Sequence, residues 1–281
     1  MTTDLADSET RQPFDLDAEI SEKVEKLGIR SQLDQLRDEG YTIFENISKP
    51  EFNAQLRETC LRLSQETEGR AKGHSASLLL GRDPIYEEVV LHPVIQVLTE
   101  IMCGKGALLS QLISSIRPKG APAIGLHADQ NWFPAPFPKH NQLLTMCWAM
   151  DDYTEEAGCT KVIPKSHLLK RHPNKEEREK EQGAIPTICP ANSIVVWDGS
   201  IWHSNYPRSI AGERVVLHMT FGRLALRTVE NYDHLDEAWL EGKPAALQTM
   251  LGREDFLGST TIERGSADYS LIPRTFGWAK T

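Results

Sequence analysis

A series of short β-rich runs in the second half of the chain limits the possible folds more than any other feature. Gly, Pro and Asp-Asp turns separate these runs, which is typical of consecutive strands. The runs are ALLSQLISSIRP, QLLTMCWAMDDY, TKVIP, NSIVVWDG and ERVVLHMTFGR, and they lie between residues 107 and 223. This part of the chain is therefore predicted to be all-β.

The residues before these runs have a different pattern. Apolar residues recur at helical spacing from Ala18 to Glu39, and again over residues 86–102, which end before Gly104. A further helix is predicted in KPEFNAQLRETCLRLSQETEG, whose apolar face contains Phe52, Leu56, Cys60 and Leu63. GYTIFENI between them is typical of a short strand. Strands that follow a helical part predict a mainly β protein with flanking helices and a sandwich or barrel core.

The domain organisation predicted from the sequence is simple. Residues 1–17 are acidic and polar, so we expect them to be disordered. Residues 18–281 contain no linker that would divide them, and we expect a single domain with N-terminal helices and a C-terminal tail. The tail, from Val229 onwards, contains a polar helix candidate and the segment LIPRTFGW.

Composition excludes several classes of partner. A net charge of −9 opposes binding to nucleic acid or to anionic membranes, and no apolar run approaches the about 20 residues that span a bilayer. The N-terminal segment is unlike a signal or transit peptide. The five dispersed cysteines indicate reduced thiols in a cytoplasmic protein and not a disulfide framework. We expect a monomer or homodimer that acts on a small molecule, with no nucleic acid or membrane as partner.

Two His-x-Asp pairs are candidates for half of a metal site, and the spacing alone is weak evidence for either. His127 and Asp129 follow a predicted strand and a Gly/Pro loop, in GLHADQNWFPAPFP. His234 and Asp236 lie in the acidic, more helical segment VENYDHLDEAWLEG, and His234 is the last histidine of the chain. A metal that needs a third ligand further along can find it only after Asp129. The second pair is therefore interpreted as a solvated helix N-terminus.

The third ligand is sought among the histidines after Asp129. His140 and His172 lie among lysines and prolines and are expected to be exposed, and His167 is explained as the structural end of a strand. His203, in SIVVWDGSIWHSNYP, follows an apolar β-run and a turn. This position suits a ligand that approaches from a neighbouring strand. Two histidines and one carboxylate on a single face favour a non-haem Fe(II) centre that activates oxygen, and a zinc site is the competing interpretation.

Arg214 provides a second indication. It lies eleven residues after His203 and begins a β-run in which Arg214, Val216, His218 and Thr220 share one face. A buried arginine needs an anionic partner, and a carboxylate matches its planar guanidinium. The partner is either a side chain, in a structural salt bridge, or the carboxylate of a ligand. The proximity of the candidate metal ligands favours the ligand.

These segments together resemble the phytanoyl-CoA dioxygenase-like family of Fe(II)- and 2-oxoglutarate-dependent oxygenases. The similar segments, in family order over about residues 39–223, are DEGYTIFENI, GLHADQNW, DDYTEEAGCTKVIPKSH and DGSIWHSNYPRSIAGERVVLHMTF. Lys165 replaces the glycine usual in the family's Pro-Gly-Ser-His, which affects a loop and not the chemistry. Residues after about 223 carry no similar motif.

The resemblance implies a fold, a cofactor and site residues. The expected core is a double-stranded β-helix, a jelly-roll, cupin-like arrangement. His127, Asp129 and His203 are expected to hold Fe(II), at which O2 reacts, and Arg214 to pair with the distal carboxylate of 2-oxoglutarate. Thr160 is a candidate second donor to that carboxylate, or an ordinary strand residue. Because the family's halogenating relatives lack the metal carboxylate, the presence of Asp129 favours hydroxylation or a related oxidation over halogenation.

The main substrate is less well defined by the sequence. Trp132, Phe133 and Phe137 either line an apolar pocket or pack within a surface loop. A CoA ester would need cations for its phosphates. The segment KSHLLKRHPNK contains such cations, but the acidic segment EEREKE follows at once and cancels much of their positive field. A free, mostly apolar small molecule is therefore favoured over an acyl-CoA ester. The remaining alternatives are a non-catalytic, cupin-like metal- or ligand-binding protein and a zinc hydrolase.

Overall fold

The computed structural model describes residue 14 and residues 16–253. The helices are α1 (Ala18–Leu27), α2 (Arg30–Glu39), α3 (Pro50–Glu66), α4 (Pro84–Val90), α5 (Pro93–Cys103), α6 (Lys175–Lys180), α7 (Glu237–Leu240) and α8 (Ala245–Met250). The strands are β1 (Tyr41–Phe44), β2 (Ser75–Ala76), β3 (Leu108–Pro118), β4 (Leu143–Ala149), β5 (Thr160–Ile163), β6 (Ile185–Pro186), β7 (Ser193–Asp198), β8 (Trp202–Asn205) and β9 (Glu213–Gly222).

These strands form two antiparallel sheets. The larger sheet has the order β1-β7-β4-β9-β3-β2, and the smaller has the order β6-β5-β8. Side chains of β4, β7 and β9 pack with Val162 of β5 in one buried cluster, so the two sheets face each other. The prediction of a jelly-roll, double-stranded β-helix core with flanking helices is confirmed.

The larger sheet is buried on both faces, and this explains the apolar runs of the sequence. Every residue of β4 is buried. Leu144, Met146 and Trp148 point outward and join a core built with the N-terminal helices, whereas Cys147 and Ala149 point inward towards the smaller sheet. Alternate residues of a strand face opposite sides of the sheet. Residues on the inward face of β3, β4, β7 and β9 can therefore contribute to one interior site.

The structure divides two of the predicted helices. The pattern over residues 18–39 forms α1 and α2, because Gly28 takes a left-handed conformation with φ 65° and ends α1. The pattern over residues 86–102 forms α4 and α5, because Pro93 begins a new helix after His92. In both places one apolar stripe continues across the break, which is why the sequence pattern shows a single element.

The structure describes only part of each terminus. Most of the segment expected to be disordered, residues 1–17, lies outside the described residues, although Phe14 and Leu16 pack against the helical core. The tail segment LIPRTFGW lies outside them as well. No helix within the described part of the chain has the length and apolar character that crossing a membrane requires.

Candidate active site

Two backbone segments bring the candidate metal ligands together. The His127 N–H donates to the His203 carbonyl at 3.0 Å, and the His203 N–H donates to the His127 carbonyl at 2.8 Å. His127 thus extends the smaller sheet beside β8, and Asn205 holds the preceding loop through a 2.7 Å hydrogen bond from the Ile124 N–H. Paired residues point to the same face. The sequence placed His203 after a strand, whereas it lies within one.

The side chains of His127, Asp129 and His203 converge. The Nε2 atoms of both imidazoles lie 3.6 Å from Oδ1 of Asp129, and one ligand atom from each residue lies within 4.8 Å of the other two. Ligand atoms that are each about 2.1 Å from one ion can be at most about 4.2 Å apart. Both 3.6 Å spacings are therefore compatible with one bound ion.

Hydrogen bonds orient each of the three side chains. Nδ1 of His127 faces the Gly125 carbonyl at 2.8 Å, and Nδ1 of His203 faces the Ile201 carbonyl at 3.3 Å. A carbonyl only accepts, so Nδ1 carries the proton of each neutral ring and the Nε2 lone pair points into the site. The orientation of both rings is that of metal ligands.

The two oxygens of Asp129 have different surroundings. Oδ2 accepts hydrogen bonds from Thr145 Oγ1 at 2.8 Å and from Trp197 Nε1 at 3.0 Å. Oδ1 faces the two imidazoles. One oxygen is thus fixed by the protein, and the other is directed at the space between His127 and His203. Thr145 lies on β4 and Trp197 on β7, so the larger sheet holds a carboxylate that the loop supplies.

The electrostatics of the site favour the protonation states that bind a metal. Burial raises the pKa of Asp129, but the imidazoles of His203 and His127 and the two hydrogen bonds outweigh burial and place it below its ordinary value. Burial lowers the pKa of His203, against the opposing effect of Asp129. At neutral pH the carboxylate is ionised and the imidazole is neutral. One carboxylate with two imidazoles is a donor set that suits Fe(II).

The histidines that sequence analysis set aside lie away from this group. His234 is exposed, and Asp236 caps the N-terminus of α7 by accepting from the Trp239 N–H at 2.9 Å, as predicted for a helix N-terminus. The prediction that His140 and His172 are exposed is wrong, because both are half-buried. His167 is buried in a turn after β5 and packs against Gly40. A Cβ atom added to Gly40 would lie 2.4 Å from Nδ1 of the His167 ring.

Arg214 is buried on the inward face of β9, with 3% of its surface exposed. Its Nη1 donates to the Gly158 carbonyl, and its guanidinium lies over the ring of Tyr153 at 5.1 Å. Its Nε is buried and has no partner among residues 16–253. The described residues provide no structural salt bridge to Arg214. An unpartnered, buried donor of this kind fits a ligand carboxylate.

Thr160 lies on β5, on the opposite side of the same corner. Its Oγ1 is 2.8 Å from the hydroxyl of Tyr153, and either atom can be the donor. Tyr153 thus contacts both Thr160 and Arg214. The structure brings Arg214 and Thr160 to one corner as the resemblance implied, and it adds Tyr153 between them.

The three aromatic residues of the loop after Asp129 have different environments. Trp132 is 38% exposed and Phe133 is half-buried. Phe137 is only 3% exposed and packs with Leu126, Ala128 and Trp202 in a small separate core. Of the two roles that the sequence left open for Phe137, this burial supports packing within the loop. Phe137 anchors the loop, because a side chain enclosed in a cluster contributes to packing.

Sequence analysis missed several residues that complete the site. Thr145, Tyr153 and Trp197 all lie within runs that it identified as strands or turns, but their roles depend on the register between strands. His218, also on the inward face, is half-buried, and burial together with Arg214 lowers its pKa to about 4. The position of His218 on the face of Arg214 was predicted. For Thr145 and Trp197, the only indication in the sequence was their position on the inward-facing side of a predicted strand.

Comparisons with known proteins agree with this geometry. The model of the phytanoyl-CoA dioxygenase (PhyH) family matches residues 36–214. Rv1501 of Mycobacterium tuberculosis is 25% identical over 245 residues, which cover 81% of this chain and 89% of that protein. The dioxygenase trt7 of Aspergillus terreus is 24% identical over 188 residues, which cover 64% of each protein.

Solved structures share the fold at low sequence identity. HygX from Streptomyces hygroscopicus, solved with nickel and 2-oxoglutarate bound, has a TM-score of 0.60 at 12% identity, and the match covers 71% of this chain and 88% of HygX. SnoN, a non-haem α-ketoglutarate-dependent epimerase from nogalamycin biosynthesis, has a TM-score of 0.60 at 19% identity, covering 78% and 92%. Since the family model matches more than half of the chain, this protein belongs to the phytanoyl-CoA dioxygenase family of non-haem Fe(II)- and 2-oxoglutarate-dependent oxygenases.

Proposed function

We propose that this dioxygenase hydroxylates a free, mostly apolar small molecule. His127, Asp129 and His203 hold Fe(II), Arg214 binds the distal carboxylate of 2-oxoglutarate, and Thr160 supports that carboxylate together with Tyr153. The overall reaction is R–H + 2-oxoglutarate + O2 → R–OH + succinate + CO2. The bound iron supplies a site where O2 is reduced with the two electrons released by decarboxylation of the 2-oxo acid.

The observation that carries this proposal is the arrangement of Asp129. A carboxylate with one oxygen held by Thr145 and Trp197, and the other 3.6 Å from two imidazole nitrogens, is built to hold a cation. Three protein ligands leave further positions for a bidentate co-substrate and for O2. The zinc hydrolase interpretation leaves the unpartnered Nε of Arg214 unexplained, and the formation of succinate distinguishes a dioxygenase from a non-catalytic, ligand-binding protein.

The chain's own residues control positions and charges. Asp129 offsets one unit of the metal charge, and its hydrogen bonds fix which oxygen faces the ion. Arg214 orients the far end of the co-substrate through a planar, paired contact. These fixed groups align the reacting parts in advance, which is the main contribution that a protein makes to such a reaction.

The inward face of β3 is our candidate for a wall of the substrate pocket. Gln111, Ile113 and Ser115 are half-buried, whereas Leu112 and Ser114 between them are buried against the outer core. On the inward side they lie beside β9, on the face that bears His218. A face that mixes an apolar side chain with hydrogen-bonding groups suits a mostly apolar molecule with a few polar atoms. Trp132 and Phe133 are the candidates for covering it.

An acyl-CoA ester is the less favoured substrate. Two of the cations considered for its phosphates have acidic partners: Lys165 lies 3.3 Å from Glu39, and Arg171 lies 2.7 Å from Glu177. A CoA phosphate would have to displace these carboxylates. The halogenase reaction is disfavoured because Asp129 occupies the ligand position.

The proposal is tested by the formation of succinate. Purified protein with Fe(II), O2 and 2-oxoglutarate should form succinate, and a chelator or replacement of iron by zinc should abolish this. Arg214→Lys should raise the 2-oxoglutarate concentration needed for half-maximal rate by about tenfold or more, with iron affinity little changed, because an ammonium is a point charge and not a planar fork. An unchanged requirement would show that Arg214 does not bind the co-substrate.

A further inference from the structure

We propose that Arg117 is a second arginine of the co-substrate site and that it shares the distal carboxylate of 2-oxoglutarate with Arg214. This inference rests on the proposed function, because it assigns a further residue to the same pocket. It predicts a two-guanidinium site where the family resemblance implied a single arginine with a hydroxyl.

The strand register places the two arginines side by side. Arg117 on β3 is the direct partner of Arg214 on β9. Directly paired residues of an antiparallel sheet project from the same face with their Cβ atoms about 5 Å apart. Arg214 faces the interior between the two sheets, so Arg117 projects from that same inward face.

The two guanidinium groups are close enough for their charges to interact. Burial lowers the pKa of Arg117, and the charge of Arg214 lowers it further, whereas Tyr153 opposes the shift. Arg214 itself lies over the ring of Tyr153. Both arginines therefore belong to the corner of the pocket that contains Tyr153, and two like charges there repel each other unless an anion lies between them.

Neither charge is neutralised by a residue of the segment 16–253. No carboxylate among residues 16–253 forms an ion pair with Arg117 or Arg214, and Nε of each arginine is buried without a partner in that part of the chain. Each guanidinium does have one backbone anchor, the Pro122 carbonyl for Arg117 and the Gly158 carbonyl for Arg214. The anchors fix both groups in place and leave further N–H groups available to a ligand.

A third arginine in this region, Arg208, shows that arginines here do not generally lack hydrogen-bond partners. The guanidinium of Arg208 is also affected by the charge of Arg214, and Arg208 is also buried. All three of its nitrogens donate to backbone carbonyls, namely those of Gly212 at 3.2 Å, Ala157 at 3.3 Å and Ala211 at 2.7 Å. Arg208 is thus a satisfied structural arginine, in contrast to Arg117 and Arg214.

One carboxylate has the capacity to satisfy both guanidinium groups. Its two oxygens offer about four acceptor positions, and each arginine needs an acceptor for Nε. Two separate anions in one corner would repel each other, so a single shared carboxylate is the simplest ligand. The distal end of 2-oxoglutarate is the anion that Arg214 already requires.

The test measures binding without turnover. Full-length protein loaded with Fe(II) under nitrogen is titrated calorimetrically with 2-oxoglutarate and with oxalate, which can chelate the metal but has no distal carboxylate. Arg117→Gln and Arg214→Gln should each weaken 2-oxoglutarate binding about tenfold or more, and oxalate binding should change by less than about twofold. Arg57→Gln is the matched control, since Arg57 is one-third exposed and pairs with Asp151, and it should change neither.

Two further variants separate a binding role from a structural one. Arg117→Lys keeps the charge and should restore part of the lost affinity. In the double variant Arg117→Gln/Arg214→Gln, the combined loss should be smaller than the product of the single losses, because both arginines bind the same anion. A structural effect of Arg117 would weaken oxalate and 2-oxoglutarate alike, and that result would overturn the inference.

The outcomes also distinguish the two proposals. If Arg214→Gln weakens 2-oxoglutarate binding and Arg117→Gln does not, this inference is wrong and the proposed function stands. If Arg117→Gln weakens only the binding of a main substrate, this inference is also wrong and the proposed function again stands. If the unaltered protein loaded with Fe(II) binds no 2-oxoglutarate, the proposed function fails and this inference fails with it.

Discussion

Trp197 shows how much the proposed metal site depends on a residue that cannot bind metal. Its indole N–H donates to Oδ2 of Asp129, and its ring lies 5.0 Å from the ring of His203. A donor fixed in a sheet restricts the carboxylate to one orientation, which lowers the entropy lost when an ion binds. The role of Trp197 is therefore to position Asp129.

This role gives a prediction with a matched control. Trp197→Phe removes the hydrogen bond and keeps an aromatic ring, so we expect metal affinity to fall about tenfold or more. Trp148→Phe should leave it unchanged, because Trp148 is equally buried but donates to Asn53, at 3.1 Å. Metal titration of both variants measures the difference. Equal affinities would show that Trp197 only fills space.

Sequence analysis could identify ligands but not the residues that orient them. His127 and Asp129 were chosen over His234 and Asp236 because only the first pair is followed by further histidines, and the structure places the two pairs as expected. Thr145 and Trp197 are far from Asp129 in sequence and become its partners only through the register of β4 and β7. Residue types and spacings do not determine that register, since it depends on long-range packing.

The loop of residues 131–138 contains both a fixed and an accessible part. Phe137 is enclosed by its small core, and its N–H donates to the Lys170 carbonyl at 2.7 Å. Trp132 has a large exposed fraction. We interpret Phe137 as the anchor of the loop and Trp132 as a side chain that a substrate can contact. In this interpretation Trp132 closes over the proposed pocket and excludes water.

Two substitutions in this loop should therefore have different effects. Phe137→Ala should destabilise the protein by about 3 kcal/mol, as expected for a buried aromatic residue. Trp132→Ala should change stability by less than about 0.5 kcal/mol but should raise the ratio of succinate to hydroxylated product. Urea unfolding and product analysis measure these effects. Wild-type coupling in Trp132→Ala would mean that the substrate wall lies elsewhere.

The runs that form β3, β4, β5, β7 and β9 were all identified as strands. The strands β4 and β7 are buried on both faces and therefore have continuous apolar segments, whereas β3 and β5 alternate buried with half-buried residues. The four-residue strand β8 was missed, since the polar residues of WHSN interrupt the apolar pattern although all four residues are buried. The breaks at Gly28 and Pro93 were missed because a hydrophobic pattern does not record a change of direction between helices.

At the scale of the whole molecule, buried histidines connect stability to pH. Burial lowers the pKa of His167, and burial with Arg214 lowers that of His218 to about 4, against an ordinary value of 6.5. The unfolded chain therefore binds more protons than the folded chain between these values. The resulting stability is fully present above pH 6.5 and is lost as the pH falls towards 4.

Metal-free protein should show this dependence directly. Its free energy of unfolding should fall between pH 7 and pH 5, with about 2 kcal/mol of the loss arising from His218. His218→Asn should reduce the loss, whereas His234→Asn, at an exposed histidine, should not. Urea unfolding at the two pH values checks both variants. An identical loss in wild type and His218→Asn would contradict the assignment.

The most direct test of the proposed iron centre is the iron content of variants in the two His-x-Asp pairs, since only one of them lies in the proposed site. We expect wild type to bind about one Fe(II) per chain and His127→Ala, Asp129→Ala and His203→Ala each to lose that iron and succinate formation while remaining folded. His234→Ala and Asp236→Ala should retain both. Full iron content and turnover in any of the first three variants would contradict the proposed centre.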